Sequence, residues 1–278
     1  MRLIILALLT LASASSFSLG VMTINTEFMW DHKAPHEGRI VTGTKAPTKA
    51  QYDSKLQYFA KTIAQNNAHI VGLQEIEGCH IARDLKILLG KRWNVACKKG
   101  RDTYTGQDVA ILTTLKVIKK SVNNHKHSYS RISSGKNIGK KVRPSKAVTA
   151  VLIDAKGTKY AVTVAHLISR TRDQDPKRIA QAEAIRKTID KIKSKHQVSR
   201  EIVMGDFNDY RNTPVLSTLK GSSLVNHAGG SICTYTYRGN CRQIDHILTP
   251  KGMTHLQTKT INHSKKYTDH QTLFTLLK

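Results

Sequence analysis

The stretch EIVMGDFND, residues 201–209, is an apolar strand that stops on a polar turn. Residues 201–204 carry strand-type side chains. Gly205-Asp206 breaks the run, and Asp206 and Asn208 are left projecting from its end. Alone, this is what an ordinary turn looks like. The same arrangement recurs along the chain, however. Asn25 ends VMTIN, Glu75 follows IVGLQ, and His166 ends YAVTVAH. Asp245 opens DHIL, and Asp269 and His270 precede QTLFTLL. Strand after strand ends in a carboxylate, an amide or an imidazole, and rigid strand ends are where side chains are aimed into a shared site.

The apolar runs predict strands over 20–26, 69–73, 109–112, 147–153, 160–166, 201–204, 244–248 and 271–277. Helical spacing covers 51–65 and 80–89, and most clearly 175–195. There Asp175 reads as N-cap and Pro176 as N1, with Ile179, Ala182, Ile185, Ile189 and Ile192 on the apolar face and Lys177, Arg178, Arg186, Lys187, Lys191 and Lys193 on the other. Several strand pairs are joined too tightly for helical crossovers, which predicts an α+β fold with mixed sheets. No linker-like stretch divides the chain, so a single domain is expected over 17–278.

The chain has 278 residues, with Lys+Arg 45 against Asp+Glu 19 and a formal net charge of +26. Hydrophobic residues at 39% suffice for a core and exclude a disordered polycation. The one long apolar run, residues 3–12, is too short for a membrane span, which excludes an integral membrane protein. Preceded by Arg2 and followed by Ala12-Ser13-Ala14, it predicts a secretory signal over 1–16 and hence an extracellular or periplasmic protein. The even count of cysteines then favours disulfides. Proximity suggests Cys79–Cys97 and Cys233–Cys241, among the three pairings four cysteines allow. The charge calls for a polyanion, nucleic acid first, then an anionic membrane or acidic glycans. Its densest part, 116–146, reads as an exposed basic ribbon that includes Lys140, Lys141, Arg143 and Lys146.

Carboxylates with an amide and no thiolate make an oxygen site suited to Mg²⁺, with Mn²⁺ or Ca²⁺ as alternatives. Two histidines near carboxylates supply an acid and a base, and the combination suits phosphodiester hydrolysis by water. Other chemistries fail on their motifs: no H-E-x-x-H, no complete Walker A loop and no G-x-S-x-G occur.

The blocks TIN (23–25), LQEIE (73–77), GQDVAIL (106–112), VAHL (164–167), MGDFND (204–209), QIDHIL (243–248) and YTDHQ (267–271) resemble, in order, those of the endonuclease/exonuclease/phosphatase superfamily. The resemblance implies a four-layer α/β sandwich, two packed mixed β-sheets flanked by helices. Within the superfamily the chain is most similar to secreted nucleases related to deoxyribonuclease I, through GRDTYTGQDVAIL at 100–112. That similarity implies a monomeric endonuclease acting on DNA ahead of RNA. It implies metal binding by Glu75 with Asn25 and Asp269, and orientation of water and phosphate by Asp206 and Asn208. His166 and His270 become the acid/base pair, oriented by Asp108 (Gln107 being the alternative) and by Asp245. Tyr104, Arg101, Lys140, Lys141 and Arg143 become contacts to nucleic acid. Glu77 departs from the pattern, standing where those nucleases carry an arginine. Two rival readings are a sphingomyelinase-like lipid phosphodiesterase, against which stand the 6% aromatics and the lack of an evident aromatic-rich hairpin, and a non-catalytic basic binding protein.

Overall fold

The computed structural model describes residues 18–278 apart from 34, 37, 40–42, 44 and 171–173, so the signal expected over 1–16 lies outside the described residues. In chain order the first elements are β1 (Leu19–Met29), α1 (Lys49–Gln65), β2 (Ile70–Ile76), α2 (Cys79–Leu89), β3 (Asn94–Ala96), β4 (Asp108–Thr113) and β5 (Lys116–Val117). Next come β6 (Ser130–Arg131), β7 (Lys141–Val142), β8 (Ala147–Ile153), β9 (Lys159–His166), α3 (Asp175–His196) and β10 (Arg200–Asp206). The last are α4 (Pro214–Lys220), β11 (Leu224–Asn226), β12 (Tyr235–Tyr237), β13 (Asn240–Arg242), β14 (Asp245–Pro250), β15 (His255–Ile261) and β16 (Thr272–Leu277).

Two six-stranded sheets form, ordered β15-β16-β1-β2-β4-β3 and β11-β14-β10-β9-β8-β5. Each has one parallel pair at its centre, β1–β2 and β9–β10, and antiparallel neighbours outside it. A parallel pair needs a long crossover, and α1 and α3 provide the two. One apolar cluster, including Val21, Ile111, Val164 and Met204, fills the space between the sheets. A second joins the first sheet to α1 and α2 through Met22, Phe59 and Leu85. A third joins the second sheet to α3 and α4 through Ile185, Val203 and Leu216. The result is the expected four-layer α/β sandwich with two mixed sheets.

This topology gathers the polar strand ends. Parallel strands finish on the same edge, so β1 and β2, and likewise β9 and β10, deliver Asn25, Glu75, His166 and Asp206 together. The antiparallel β14 begins where β10 ends, with Asp206 opposite Asp245. The antiparallel β16 begins beside the end of β1, which brings His270 to the same edge.

Three details of the sequence reading are corrected. The N-cap of α3 is Gln174, not Asp175. Arg178 does not lie on a solvated face; it is buried and pairs with Asp209 (3.4 Å) and Asp175. Lys146 is buried rather than part of the exposed basic ribbon. Elsewhere the 116–146 stretch is largely exposed, with β6 and β7 forming a small hairpin that rests on α3 through Ile132 and Val142 against Ala180. Cys79–Cys97 and Cys233–Cys241 are the disulfide pairs.

Candidate active site

Irregular backbone aims the first carboxylate. β2 shifts register between Gln74 and Ile76, so Glu75 is the extra residue of a bulge, with φ 60°. β1 shifts register between Asn25 and Met29, and Glu27 and Phe28 there also have positive φ. Bulges bend a strand and redirect a side chain, and left-handed backbone at a non-glycine residue is costly enough that surrounding contacts must hold it. Those contacts exist. Glu75 Oε2 accepts from Gln107 Nε2 (2.7 Å) and from the Phe28 amide (3.2 Å).

On the other sheet the device is a glycine. Gly205 has φ 140°, and a Cβ there would lie 1.9 Å from the Ala165 carbonyl oxygen of β9. Only glycine permits this approach. Asp206 follows, with Oδ1 accepting from the Asn208 amide (2.8 Å), while Asn208 Nδ2 donates to Leu167 O (3.0 Å). Asn208 thus ties the turn after β10 to the end of β9.

Between the walls, Asn25 Nδ2 donates to Glu75 Oε1 and to Asp206 Oδ2, both at 3.1 Å. His166 Nε2 lies 3.8 Å from Glu75 Oε1 and 3.6 Å from Asp206 Oδ2. His270 Nδ1 donates to Asp245 Oδ2 (2.8 Å), and its Nε2 stands 3.8 Å from Asp206 Oδ2 and 3.9 Å from Asp269 Oδ1. Of these, Glu75, Asp206, His166, His270 and Asp269 line a cleft of about 740 Å³ that also takes in Tyr104, Gln107, Arg143, Lys146, Lys177, Asn208 and Tyr235, while Asn25 and Asp245 are outside its lining.

The two histidines sit in opposite electrostatic settings. Burial pushes His166 well below the ordinary histidine value, and the charges of Lys146 and His270 push the same way, so the ring is neutral. Burial also works against a charged His270, but the Asp245 carboxylate and its hydrogen bond prevail, raising it to about 10. Asp206 is pushed up to about 7, first by burial and then by the Asp245 charge, with His270 opposing.

Not every expected partner arrives. Asp108 is not at His166; its Oδ1 accepts from the Gly100 amide (2.6 Å), and His166 Nδ1 has no hydrogen-bond partner among the described residues. Gln107 reaches Glu75 instead of a histidine. Glu75, His166 and Asp206 bring ligand atoms within 4.8 Å of one another, as do Asp206, Asp245 and His270, while Asp269 joins neither group and is exposed. Asn25 turns its Oδ1 to the Glu27 amide (3.0 Å) and its NH₂ to the carboxylates. A donor wedged between two acidic side chains marks a place that calls for positive charge. The donor set, oxygen-rich with one imidazole, fits a divalent cation held by Glu75 and Asp206, with the Asn25 amide beside them.

Tyr104, 61% exposed, and Arg143 reach the cleft, whereas Arg101, Lys140 and Lys141 are exposed outside its lining. Two features escape the sequence reading. Lys146 Nζ donates to Gln107 Oε1 (3.1 Å) and pairs with Asp102 (3.3 Å), so a chain of contacts runs from Asp102 to Glu75. The pairing of Ala147 with Ala165 puts Lys146 level with His166, and that register was readable once β8 and β9 were paired. The second is the β12–β13 hairpin. It carries Tyr235, whose ring lies 4.8 Å from that of His270, and Tyr237 beneath Arg238 and Arg242. An exposed hairpin bearing aromatic residues therefore exists, against expectation, and its flanks are cationic.

Two packed mixed sheets with helices outside and polar strand ends gathered on one edge define the class of fold. The sequence profile of the endonuclease/exonuclease/phosphatase family matches residues 24–274, and the chain belongs to that family. Among solved structures it is similar to the human Nocturnin catalytic domain (15% identity, TM-score 0.60, 94% of each chain covered). It is also similar to ANGEL2, a 2′,3′-cyclic phosphatase (14%, TM-score 0.63, 94% of this chain and 95% of that one). A third is truncated TDP2 of Caenorhabditis elegans (15%, TM-score 0.60, 94% and 98%). At such identities the likeness shows the fold alone. No curated protein sequence matches. No helix of the described residues is long and apolar enough to cross a membrane.

Proposed function

We propose that this chain is an exported, monomeric, Mg²⁺-type metal-dependent endonuclease that hydrolyses phosphodiester bonds of nucleic acid, DNA ahead of RNA. The observation that carries the reading is the convergence of Glu75, Asp206, His166 and His270, the last held by Asp245, in one cleft, on a chain with a net charge of +26. A cation bound by Glu75 and Asp206 would polarise the phosphoryl group and offset its developing charge. The protein's own groups supply the rest. The two rings start in opposite protonation states: His166 is neutral and can take a proton from the attacking water, while His270 is charged and can give one to the leaving oxygen. Asp245 fixes the His270 ring through Nδ1, leaving Nε2 to face the cleft. Asn208 holds the Asp206 turn. Tyr104 and Arg143 at the cleft, and the arginine-flanked Tyr237, offer cations and aromatic faces to a polynucleotide.

The purified chain is incubated with circular DNA, linear DNA, RNA and sphingomyelin, with Mg²⁺ or with EDTA. Circular DNA should be cut in Mg²⁺ and left intact in EDTA. Cleavage undiminished by EDTA refutes the metal assignment, and hydrolysis of sphingomyelin with DNA left intact refutes the nucleic-acid reading. Replacing Lys140, Lys141 and Arg143 by Ala should flatten the salt dependence of binding, because each neutralised phosphate releases counterions.

A further inference from the structure

Three metal-ligating side chains meet outside the cleft, with a fourth beside them. Asp31 and His36 lie in the segment after β1, Glu77 follows β2, and His80 is in the first turn of α2. His36 Nδ1 donates to Glu77 Oε1 (2.6 Å), and His80 Nε2 lies 3.4 Å from Asp31 Oδ2 and 3.8 Å from Glu77 Oε2. Asp31, His36 and Glu77 each bring a ligand atom within 4.8 Å of the others; His80 lies at the edge of that trio, near Asp31 and Glu77 only, and has to turn inward to complete a set of four.

Two observations separate this cluster from an ordinary ion-pair network. The first is charge. The side chains of Asp31, His36 and Glu77 are 16%, 0% and 9% exposed, yet neither carboxylate pairs with a Lys or Arg among the described residues, on a chain rich in both. Beyond two backbone amides, Asp31 N–H on Glu77 Oε2 (2.8 Å) and Lys33 N–H on Asp31 Oδ1, the side chains facing these largely buried carboxylates are imidazoles, so they lack a fixed counter-charge. The second is an idle ligand. His80 Nε2 is buried and makes no hydrogen bond, although it points between two carboxylate oxygens. The placement is also constrained. Asp31 Oδ1 is occupied by the Lys33 amide (2.6 Å), which leaves Oδ2 for the centre. A Cβ at Gly78 would come within 3.2 Å of His80 Nδ1, and Cys79–Cys97 pins the start of α2.

We propose that Asp31, His36, Glu77 and His80 form a structural site for a zinc-class divalent cation. Zinc bonds of ~2.0–2.1 Å in a tetrahedron separate neighbouring ligand atoms by about 3.3 Å. The His80–Asp31 distance of 3.4 Å already has that value. The His36–Glu77 contact at 2.6 Å opens by about 0.7 Å once the proton it shares is displaced. Two imidazoles with two carboxylates suit zinc, whereas Mg²⁺ and Ca²⁺ take oxygen ligands, six or more in the case of Ca²⁺. With four protein ligands the site is closed to substrate, which is the pattern of a structural ion. It would fasten the exit of β1, the exit of β2 and the start of α2 to one another, two residues beyond Glu75.

The test uses the full chain with the cleft silenced by Glu75→Gln and Asp206→Asn, so that zinc in the cleft does not count. After equilibrium dialysis against Zn²⁺, metal analysis should find one ion per chain. Millimolar Mg²⁺ should not displace it, Zn²⁺ should raise the melting temperature, and Co²⁺ loading should give the visible absorption of a tetrahedral centre. Adding Glu77→Gln or His80→Ala should each weaken zinc binding at least tenfold. Absence of zinc from the silenced chain, or unchanged zinc affinity in either added variant, overturns the proposal. Should Glu77→Gln fail to fold, His80→Ala decides alone, since that ring is 40% exposed.

Discussion

The two walls of the cleft come from the same unit, a parallel strand pair with a helical crossover, yet they aim their side chains by opposite means. On the β1–β2 wall the backbone is irregular: both strands shift register, and Glu27, Phe28 and Glu75 take left-handed conformations. On the β9–β10 wall the pairing runs unbroken from Arg200–Tyr160 to Asp206–His166, and the close approach is absorbed by Gly205. Behind that regular wall stands a polar brace. Arg178 and Arg170 hold the Asp209 carboxylate, and His246 Nε2 donates to the Asp209 carbonyl (2.8 Å). One wall therefore stores strain at its functional residue, and the other places the cost in its support. Substitutions at equivalent strand ends should differ in sign as well as size.

The largest effect is expected where both walls meet, at the two histidines. His166→Ala and His270→Ala should each slow turnover on the order of 10²–10⁴-fold with the fold intact, the range for acid/base groups. The double variant should lose much less than the product of the two, because groups acting as a unit are not additive. Steady-state rates on one DNA substrate check both statements, and a multiplicative double variant breaks the pairing. His246 supplies the contrast. It lies on the opposite face of β14, fully buried, accepting from Asn226 Nδ2 (3.0 Å) and stacked on Phe207. His246→Ala should lower the melting temperature while leaving the folded enzyme's turnover close to that of the parent.

Gly205→Ala comes next. Its Cβ would collide with the backbone oxygen of Ala165, so β9 and β10 have to part at the centre of the second sheet. Overpacking at ~1–3 kcal/mol plus backbone strain of similar size gives about 2–6 kcal/mol. Urea unfolding measures it, and a loss under about 1 kcal/mol shows that the approach is not fixed.

How much of this was legible follows from the same contrast. The regular wall could be read: strand 147–153 was found with its observed bounds, and GDFN announced the turn that carries Asp206 and Asn208. Paired strands of fixed period keep their pattern in one dimension. The irregular wall was located but not understood, because a bulge at Glu75 depends on which strand lies beside it. The same holds for Lys146, whose charge joined a basic run in sequence while its position opposite His166 is a matter of register. Helical spacing alone puts Arg178 on the surface, and partners from outside its helix, Asp209 and the Ser169 carbonyl, join Asp175 in making its burial tolerable. β15 escaped because it is an edge strand with no buried residue, and so has no apolar alternation to detect. Asp108 was placed beside His166 by resemblance alone, and no local rule could correct it.

Acid should reach the second sheet's side through His125. This residue is fully buried, its Nε2 is bonded to Thr149 Oγ1 (2.8 Å), and burial pushes it down to about 3. Its folded value lies below its unfolded one of about 6.5, so the unfolded chain takes up the proton first. The stability it supports is complete above pH 6.5 and is lost as pH falls from there toward 3. The slope is about 1.4 kcal/mol per pH unit, or about 2 kcal/mol between pH 6.5 and 5. His125→Asn tolerates the positive φ of 57° and removes the titration. Unfolding free energies at pH 7.5 and 5 should converge in the variant by about that amount, and an unchanged acid sensitivity breaks the assignment.

The smallest effect is the sharpest test of the difference between the walls, because it turns on sign. At Glu75 the left-handed backbone costs an L-residue roughly 1–2 kcal/mol that glycine does not pay, while glycine loses about 0.5–1 kcal/mol through its extra freedom in the unfolded chain. Glu75→Ala and Glu75→Gly remove the same carboxylate and the same bonds from Gln107 and Phe28. The comparison therefore isolates the backbone, and the glycine variant should be the more stable by about 0.5–1 kcal/mol. At His166 the strand is regular and φ is not positive, so there His166→Ala should exceed His166→Gly in stability by about 0.5–1 kcal/mol. Denaturant midpoints of the four variants give both differences under one set of conditions. Opposite signs mean that the first wall holds strain at the functional residue and the second does not. Equal signs mean that the bulge at Glu75 relaxes once its carboxylate is gone, and that the hydrogen bonds from Gln107 and Phe28 impose the conformation rather than the strand pairing.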